Sequence, residues 1–428
     1  MEIAILVLSF LILLCLGVPI AWAIGVSSLS TMLVSMDAIP AFTTTAQRMA
    51  TGLDSFSLLA IPFFILAGQI MNRGGIAHRL IAFAKTIMGA LPGGLAHVNI
   101  VAAMLFGAIA GSAVAAASAI GSFMGPAMKK EGYDKNYAAA VNITSSTTGL
   151  IIPPSNVLIV YSLASGGASI AALFVAGYLP GILTGLLLMT VAGVWAKRKG
   201  YPVGERSSLQ QIFSTFIDAF PSLLLLVVVM GGIVAGIFTA TEASAVAVLY
   251  CLILGFVYRE ISVKNLPSIL LESVGTTSIV LLLVGASIAM SWVMAYENIP
   301  QSITELFLSI SDNRIIIFIL INLILLGVGV FMDITPAILI FTPIFLPVVT
   351  ELGMDPVHFG IVMVLNLCIG LCTPPVGTVL FVGVGVAQTS IQAVIRPLLP
   401  LFIAMLVALL LVTYIPALTL WLPSLFGL

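Results

Sequence analysis

The chain has 428 residues, 61% of them hydrophobic and 7% charged, with a formal net charge of -1 and a mean hydropathy of +1.25. A soluble domain carries roughly a quarter charged residues, so this composition describes a polytopic membrane protein surrounded by lipid. Without a basic excess there is no electrostatic case for nucleic acid as a partner.

In chain order, apolar segments predict spans near 3–16, 18–36, 55–72, 135–165, 170–197, 219–237, 240–258, 266–294, 356–386 and 391–416. Most approach the roughly 20 residues that cross a bilayer. The first 36 residues are too long for a cleaved signal peptide and lack its basic start and small-residue exit, so they read as mature membrane segments. Cys15, Cys251, Cys368 and Cys372 all sit in apolar segments and read as small core residues, with no His or second Cys pair near them for a metal.

Two apolar regions do not read as simple spans. In 92–130, segments of 13–17 residues flank Gly107, Gly111 and Ser112. A 13-residue helix is only about 20 Å long, short of a hydrocarbon core of about 30 Å. The region therefore predicts a re-entrant helical hairpin. A second such region, 313–350, turns at 329–336, and Asp333 is its only acid.

The breaks are the strongest signal. Residues 149–154 read Gly-Leu-Ile-Ile-Pro-Pro, and 221 positions later 370–375 read Gly-Leu-Cys-Thr-Pro-Pro. Proline removes backbone donors and clashes with the preceding turn, so both spans break in mid-membrane. The offset also relates Pro126 to Pro347, Gly132 to Gly353 and Asp134 to Asp355, and eight of 29 positions between 126–154 and 347–375 are identical. Paired broken helices in corresponding halves are the mark of a secondary transporter with a midplane site.

Charge placement sets the orientation. Arg73, Arg79, Lys85, Lys129, Lys130 and Lys135 surround the base of the first hairpin. Lys197, Arg198, Lys199 and Arg206 follow the next long span, and Arg259 and Lys264 follow the span ending near 258. The positive-inside rule makes these loops cytoplasmic. The base of the second hairpin, 350–355, has no Lys or Arg and reads as external, as do both termini. The expected fold is all-α, with two inverted repeats, each holding a re-entrant hairpin and a broken transmembrane helix. Residues 1–91 and 199–312 then form scaffold and arm helices. Residues 92–198 form the first hairpin and broken-helix region, and 313–428 the second, with a C-terminal span.

Carbonyls freed by a break are tolerated at membrane depth where they line a cavity or bind an ion. Hard cations such as sodium prefer oxygen ligands. One sodium site is expected at Ser112, Gly149, Ile152 and Pro153, and a second at Met332, Asp333, Gly370, Thr373 and Pro374. Asp333 carries either a functional charge at depth, a helix cap ahead of Ile-Thr-Pro, or both. The polar run Asn142 to Thr148 either lines a substrate cavity or makes interhelical hydrogen bonds. The substrate residues expected are Asn142 and Ser145 from this run, with Ser155, Thr335 and Gly377 beside the breaks and the second tip. Glu242 reads as one half of a capping box with Thr239, Glu272 as a solvated residue, and His78, His97 and His358 as polar-edge residues.

Catalytic and nucleotide-binding motifs are absent, so transport must draw on an ion gradient or a separate motor. No cofactor is expected beyond coupling sodium ions.

The run Phe238-Thr239-Ala240-Thr241-Glu242-Ala243-Ser244-Ala245-Val246, the two Gly-Leu-x-x-Pro-Pro breaks, and the hairpins ending at Pro126 and Pro347 resemble the large membrane subunit of tripartite ATP-independent periplasmic (TRAP) transporters. The resemblance covers essentially the whole chain. It implies an elevator-type, sodium-coupled importer of an organic acid such as a C4-dicarboxylate or sialic acid, in the bacterial inner membrane. It also implies two protein partners, a small four-span membrane subunit and a soluble periplasmic binding protein. Two other readings stand beside it. A stand-alone ion-coupled anion carrier of a related inverted-repeat family would need no binding protein. An intramembrane enzyme would need paired catalytic groups, and Ser112 stands where a partner for Asp333 would be.

Overall fold

The computed structural model describes residues 2–204, 207–311 and 313–428; Arg206, used above for orientation, lies outside them. Helices account for about four-fifths of the described chain. Among the described residues the only ladder contact is an isolated bridge between Pro92 and Val203.

The first half opens with α1 (Glu2–Cys15), α2 (Ile20–Ser35), α3 (Ala38–Leu53), α4 (Ala60–Arg73) and α5 (Ile76–Met88). There follow α6 (Gly94–Ala110), α7 (Ala113–Lys130), α8 (Lys135–Thr148), α9 (Asn156–Ala164) and α10 (Ile170–Lys199). The second half has α11 (Leu209–Val234), α12 (Ala240–Val257), α13 (Leu266–Tyr296) and α14 (Ile299–Ile310). It continues with α15 (Arg314–Phe331), α16 (Ile334–Glu351), α17 (Pro356–Gly370), α18 (Thr378–Val386) and α19 (Ile391–Tyr414), and ends with α20 (Ala417–Leu425). Among the described residues eight helical segments are long and apolar enough to cross a membrane.

The 221-residue offset holds helix by helix. It maps both ends of α7 onto those of α16, and the starts of α8 and α10 onto those of α17 and α19. The caps repeat with the helices. Asp134 accepts from the amides of Asn136 and Tyr137, as Asp355 does from Val357 and His358. Ser169 and Ser390 each accept from the amide three residues on. Each such bond satisfies a donor that a helix start leaves orphaned. Gly132 and Gly353 end α7 and α16 in the left-handed region, at φ 82° and 84°. That conformation suits glycine, which has no Cβ to clash.

The core follows from the hydrophobic pattern. Every residue of α8 from Tyr137 to Thr148 is buried, and so is α17 from His358 to Gly370. Large apolar side chains such as Leu8, Leu186 and Leu271 are exposed on outer helices, as lipid-facing surfaces require.

Two expectations need correction. The hairpin helices are 17 and 18 residues long in the first hairpin and 18 and 18 in the second. At about 26–27 Å they are longer than a 13-residue helix of about 20 Å. Among the described residues α15 and α16 are long and apolar enough to cross a membrane, whereas α6 and α7 are not, so length and composition together set apart only the first hairpin. In addition, α3, α5 and α14 were not among the predicted spans. They are helices of 16, 13 and 12 residues with one apolar face, and alternation of polar and apolar faces hides such helices from a span-length reading.

Candidate transport site

The chemistry begins at the breaks. Pro153 and Pro154 have no N–H to give the carbonyls four residues back, those of Gly149 and Leu150. The Leu150 carbonyl accepts the Ser155 hydroxyl instead, at 2.5 Å. Among the described residues the Gly149 carbonyl accepts no hydrogen bond. At the second break, Pro374 and Pro375 deprive Gly370 and Leu371 in the same way. Gly370 accepts from the Thr373 amide at 2.9 Å, and Leu371 from the amides of Val379 and Leu380 at 3.2 and 3.3 Å. The two Pro–Pro peptide bonds are both cis.

Each hairpin crosses its break glycine to glycine. A Cβ added to Gly149 would lie 2.4 Å from the Gly107 Cα, and one added to Gly370 would lie 2.5 Å from the Gly329 Cα. Only hydrogen fits there. On the far side of the first break, Gly177 and Gly181 of α10 make room for the Ile151 carbonyl and the Ile152 side chain.

Both tips open into one cavity of about 280 Å³. Ser112 and Asp333 line it, with Leu150 and Asn156 from the first break and Leu371 from the second. Three helix N-termini meet at this cavity, those of α7, α9 and α16. Their partial positive charge favours an anion. Asp333 is the only ionisable residue among the described lining residues. Ser112 caps α7 through the Ala115 amide at 3.2 Å, whereas Asp333 makes no capping hydrogen bond. Asp333 thus lines the cavity without a capping hydrogen bond like that of Ser112.

The expected residues are distributed unevenly. Ser112, Asp333 and Thr335 line the cavity. Gly149 and Gly370 lie under the crossings, Met332 and Pro153 are buried, and Pro374 is half-buried. The Thr373 hydroxyl bonds the Ile369 carbonyl of its own helix at 2.8 Å. Asn142 lines a separate cavity and donates to the Ala117 carbonyl at 2.8 Å. Ser145, Ser155 and Gly377 do not line the central cavity, and Ser155 is engaged by the Leu150 carbonyl. In the polar run, the hydroxyls of Thr144, Ser146, Thr147 and Thr148 bond carbonyls three or four residues back. This local back-bonding is the usual way for helical Ser and Thr to be satisfied. Asn142, bonded to the Ala117 carbonyl of α7, and Ser145, whose hydroxyl lies 3.5 Å from Asn99 Oδ1 of α6, make the interhelical hydrogen bonds that were one of the two expected roles.

Gln69 and Asn72 of α4, Thr276 of α13 and Asn156 also line the cavity and were missed by sequence reasoning. Gln69 and Asn72, three residues apart inside an apolar helix, were the available signal, since polar groups within spans face partners or water. Thr239 and Glu242 form the expected capping box. Glu272 is paired with Arg73, and His358 is buried between Thr419 and the Thr413 carbonyl. His358 is thus a core residue, corrected from a polar-edge one.

Comparison with known proteins gives the family. Residues 7–418 match the family described as "Tripartite ATP-independent periplasmic transporter, DctM component". The protein YgiK of Salmonella typhimurium is 59% identical over 98% of this chain and 96% of its own length. The C4-dicarboxylate TRAP transporter large permease protein DctM of Rhodobacter capsulatus is 39% identical over 99% of each. The crystal structure of the Alcanivorax borkumensis YdaH transporter shares the fold, with a TM-score of 0.68 and 13% identity over 88% of each chain. The chain is a multi-pass inner-membrane transport protein and belongs to the tripartite ATP-independent periplasmic transporter family, as its DctM (large permease) component.

Proposed function

We propose that the chain imports an organic acid by sodium-driven secondary transport, as the large subunit of a tripartite transporter with a small four-span membrane subunit and a soluble periplasmic binding protein. The observation that carries this reading is the convergence of three helix N-termini and one carboxylate, Asp333, on a single cavity between two broken helices. The N-termini favour an anion, but Asp333 would repel one. A sodium ion between them removes the conflict, which ties substrate binding to the ion. The free Gly149 carbonyl, with Ser112, supports the first sodium site, and Asp333 with Gly370 and its neighbours the second. The relative in R. capsulatus, which carries C4-dicarboxylates by name, supports the organic-acid class, of which sialic acid is a larger member.

In this reading 92–198 and 313–428 form the moving unit, with the two hairpins re-entrant and inverted. Residues 1–91 and 199–312 form the fixed scaffold, and the cavity lies where α4 and α13 face the tips. The movement is an elevator displacement that carries the site past the scaffold.

The test is sodium-driven uptake in reconstituted vesicles holding both partner subunits, with a C4-dicarboxylate and sialic acid as probes. Asp333→Asn is expected to abolish sodium-dependent uptake while leaving expression unchanged, because Asn keeps the shape and loses the charge. Near-normal uptake by this variant would remove Asp333 from coupling. Uptake by the chain alone would favour the stand-alone carrier.

A further inference from the structure

A second cavity of about 500 Å³ lies on the same three helices as the central one. On α9 the central cavity meets Val157 and Val160, and the second meets Leu163 and Ala164. On α16 the corresponding residues are Thr335, then Leu339 and Pro343, a continuous i+4 row. On α13 they are Thr276 and Val280, then Ser287 and Ser291. The same helix faces therefore line both cavities, one beyond the other. Thr276 and Ser287 are 11 positions apart in the sequence, about 16 Å along a helix. Because α13 starts beside Lys264, on the basic side, the second cavity lies toward the opposite, outer end.

Its lining differs in charge from that of the central site. Arg48 of α3 reaches it, with the guanidinium 5.2 Å from the centre of the Trp292 ring. Among the described residues Arg48 has no carboxylate partner. Ser287 is 3% exposed, and its hydroxyl has no hydrogen-bond partner. This is unusual for its helix, because Ser273 and Ser278 on α13 both bond the carbonyl four residues back. A buried hydroxyl without a partner is costly, and one lining the same cavity as a guanidinium that has no carboxylate partner suits an anionic ligand.

We propose that this cavity is an outer binding station for the carboxylate of the transported acid, in which Arg48 supplies the charge and Ser287 and Ser291 supply hydroxyl donors. The proposal rests on the organic-acid reading for the identity of the ligand. The acid meets Arg48 and the α13 hydroxyls first and passes to the central cavity along the shared faces of α9, α13 and α16. Arg48 stays paired with Trp292 when the station is empty, since a guanidinium rests well over an indole face.

The test uses charged thiol reagents and needs no knowledge of the substrate. In a Cys15→Ala background, Ser291→Cys and, independently, Ser55→Cys report from the cavity wall. Right-side-out vesicles are treated with an anionic (sulfonatoethyl) or a cationic (trimethylammonioethyl) methanethiosulfonate. Relative to a free thiol, the anionic reagent is expected to be favoured by about threefold or more, the size of effect that one positive charge within about 7 Å would have even at high dielectric. Arg48→Gln should erase the preference, and excess acetate should slow the reaction only when Arg48 is present. An unchanged reagent ratio in Arg48→Gln, or modification of both thiols only from the inner face, overturns the proposal. Neither readout depends on sodium-driven uptake, so failure here is distinct from failure of the transport reading.

Discussion

Gly149 and Gly107 touch backbone to backbone: a Cβ on Gly149 would sit 2.4 Å from the Gly107 Cα and 3.0 Å from the Ala103 carbonyl oxygen. The clash is with main chain, which cannot rotate away. Gly149→Ala is expected to destabilise the protein by at least about 1–3 kcal/mol, the usual range for overpacking, and to abolish uptake. Gly370→Ala should behave alike, because its Cβ meets Gly329. Gly275→Ala, where nothing lies within 4 Å, is the control and should be neutral. Thermal unfolding of the three variants in detergent makes the comparison, and equal midpoints would contradict it.

Ser155 holds the first break together. Its hydroxyl replaces the amide that Pro154 cannot offer to the Leu150 carbonyl. Ser155→Ala leaves that buried carbonyl without a donor, a loss of about 1–3 kcal/mol, and Ser155→Thr should restore most of it. The concentration dependence of uptake in the folded fraction should not change. A raised KM at unchanged stability would instead make Ser155 a substrate residue.

His358 joins the start of α17 to the end of the chain. Its Nε2 lies 3.2 Å from the Thr413 carbonyl, which can only accept, so the ring proton sits on Nε2. Its Nδ1 shares a 2.6 Å hydrogen bond with the Thr419 hydroxyl. His358→Leu fills the space but leaves the Thr413 carbonyl without this donor, and is expected to cost about 1–3 kcal/mol. Protease sensitivity near 413–419 should rise with it, and unaltered cleavage would argue against the role.

Arg73 and Glu272 link α4 to α13 at the basic end, with side chains 38% and 50% exposed. Exposed pairs of this kind contribute little because water screens them. Glu272→Gln is expected to change stability by less than about 1 kcal/mol and to leave uptake intact. A large loss of uptake would show that the pair controls movement between these helices.

The repeat was legible because proline and glycine act locally. Pro153 and Pro374 interrupt a helix whatever surrounds them, and Asp134 and Asp355 cap the next amides wherever the chain lies. The amphipathic α3, α5 and α14 were not legible as spans, because their length and mixed faces match no bilayer criterion. Even so, α3 carries Arg48 to the second cavity. The polar run at 142–148 was legible only in part: Asn142 bonds α7 while the hydroxyls of Thr144, Ser146, Thr147 and Thr148 turn back on their own helix, a division that composition does not reveal.

The sequence by itself determined the membrane class, the two-fold repeat, the position of both breaks and the family. Each depends on composition or on constraints that act within a few residues. Only the tertiary structure decided which polar groups share a cavity. Gln69, Asn72 and Thr276 join Ser112 and Asp333 there because helix packing rotates those faces together, while Asn142 and Ser155 are turned to other partners. A helix presents different residues every 100° or so of rotation, and that rotation is set by contacts between segments hundreds of residues apart.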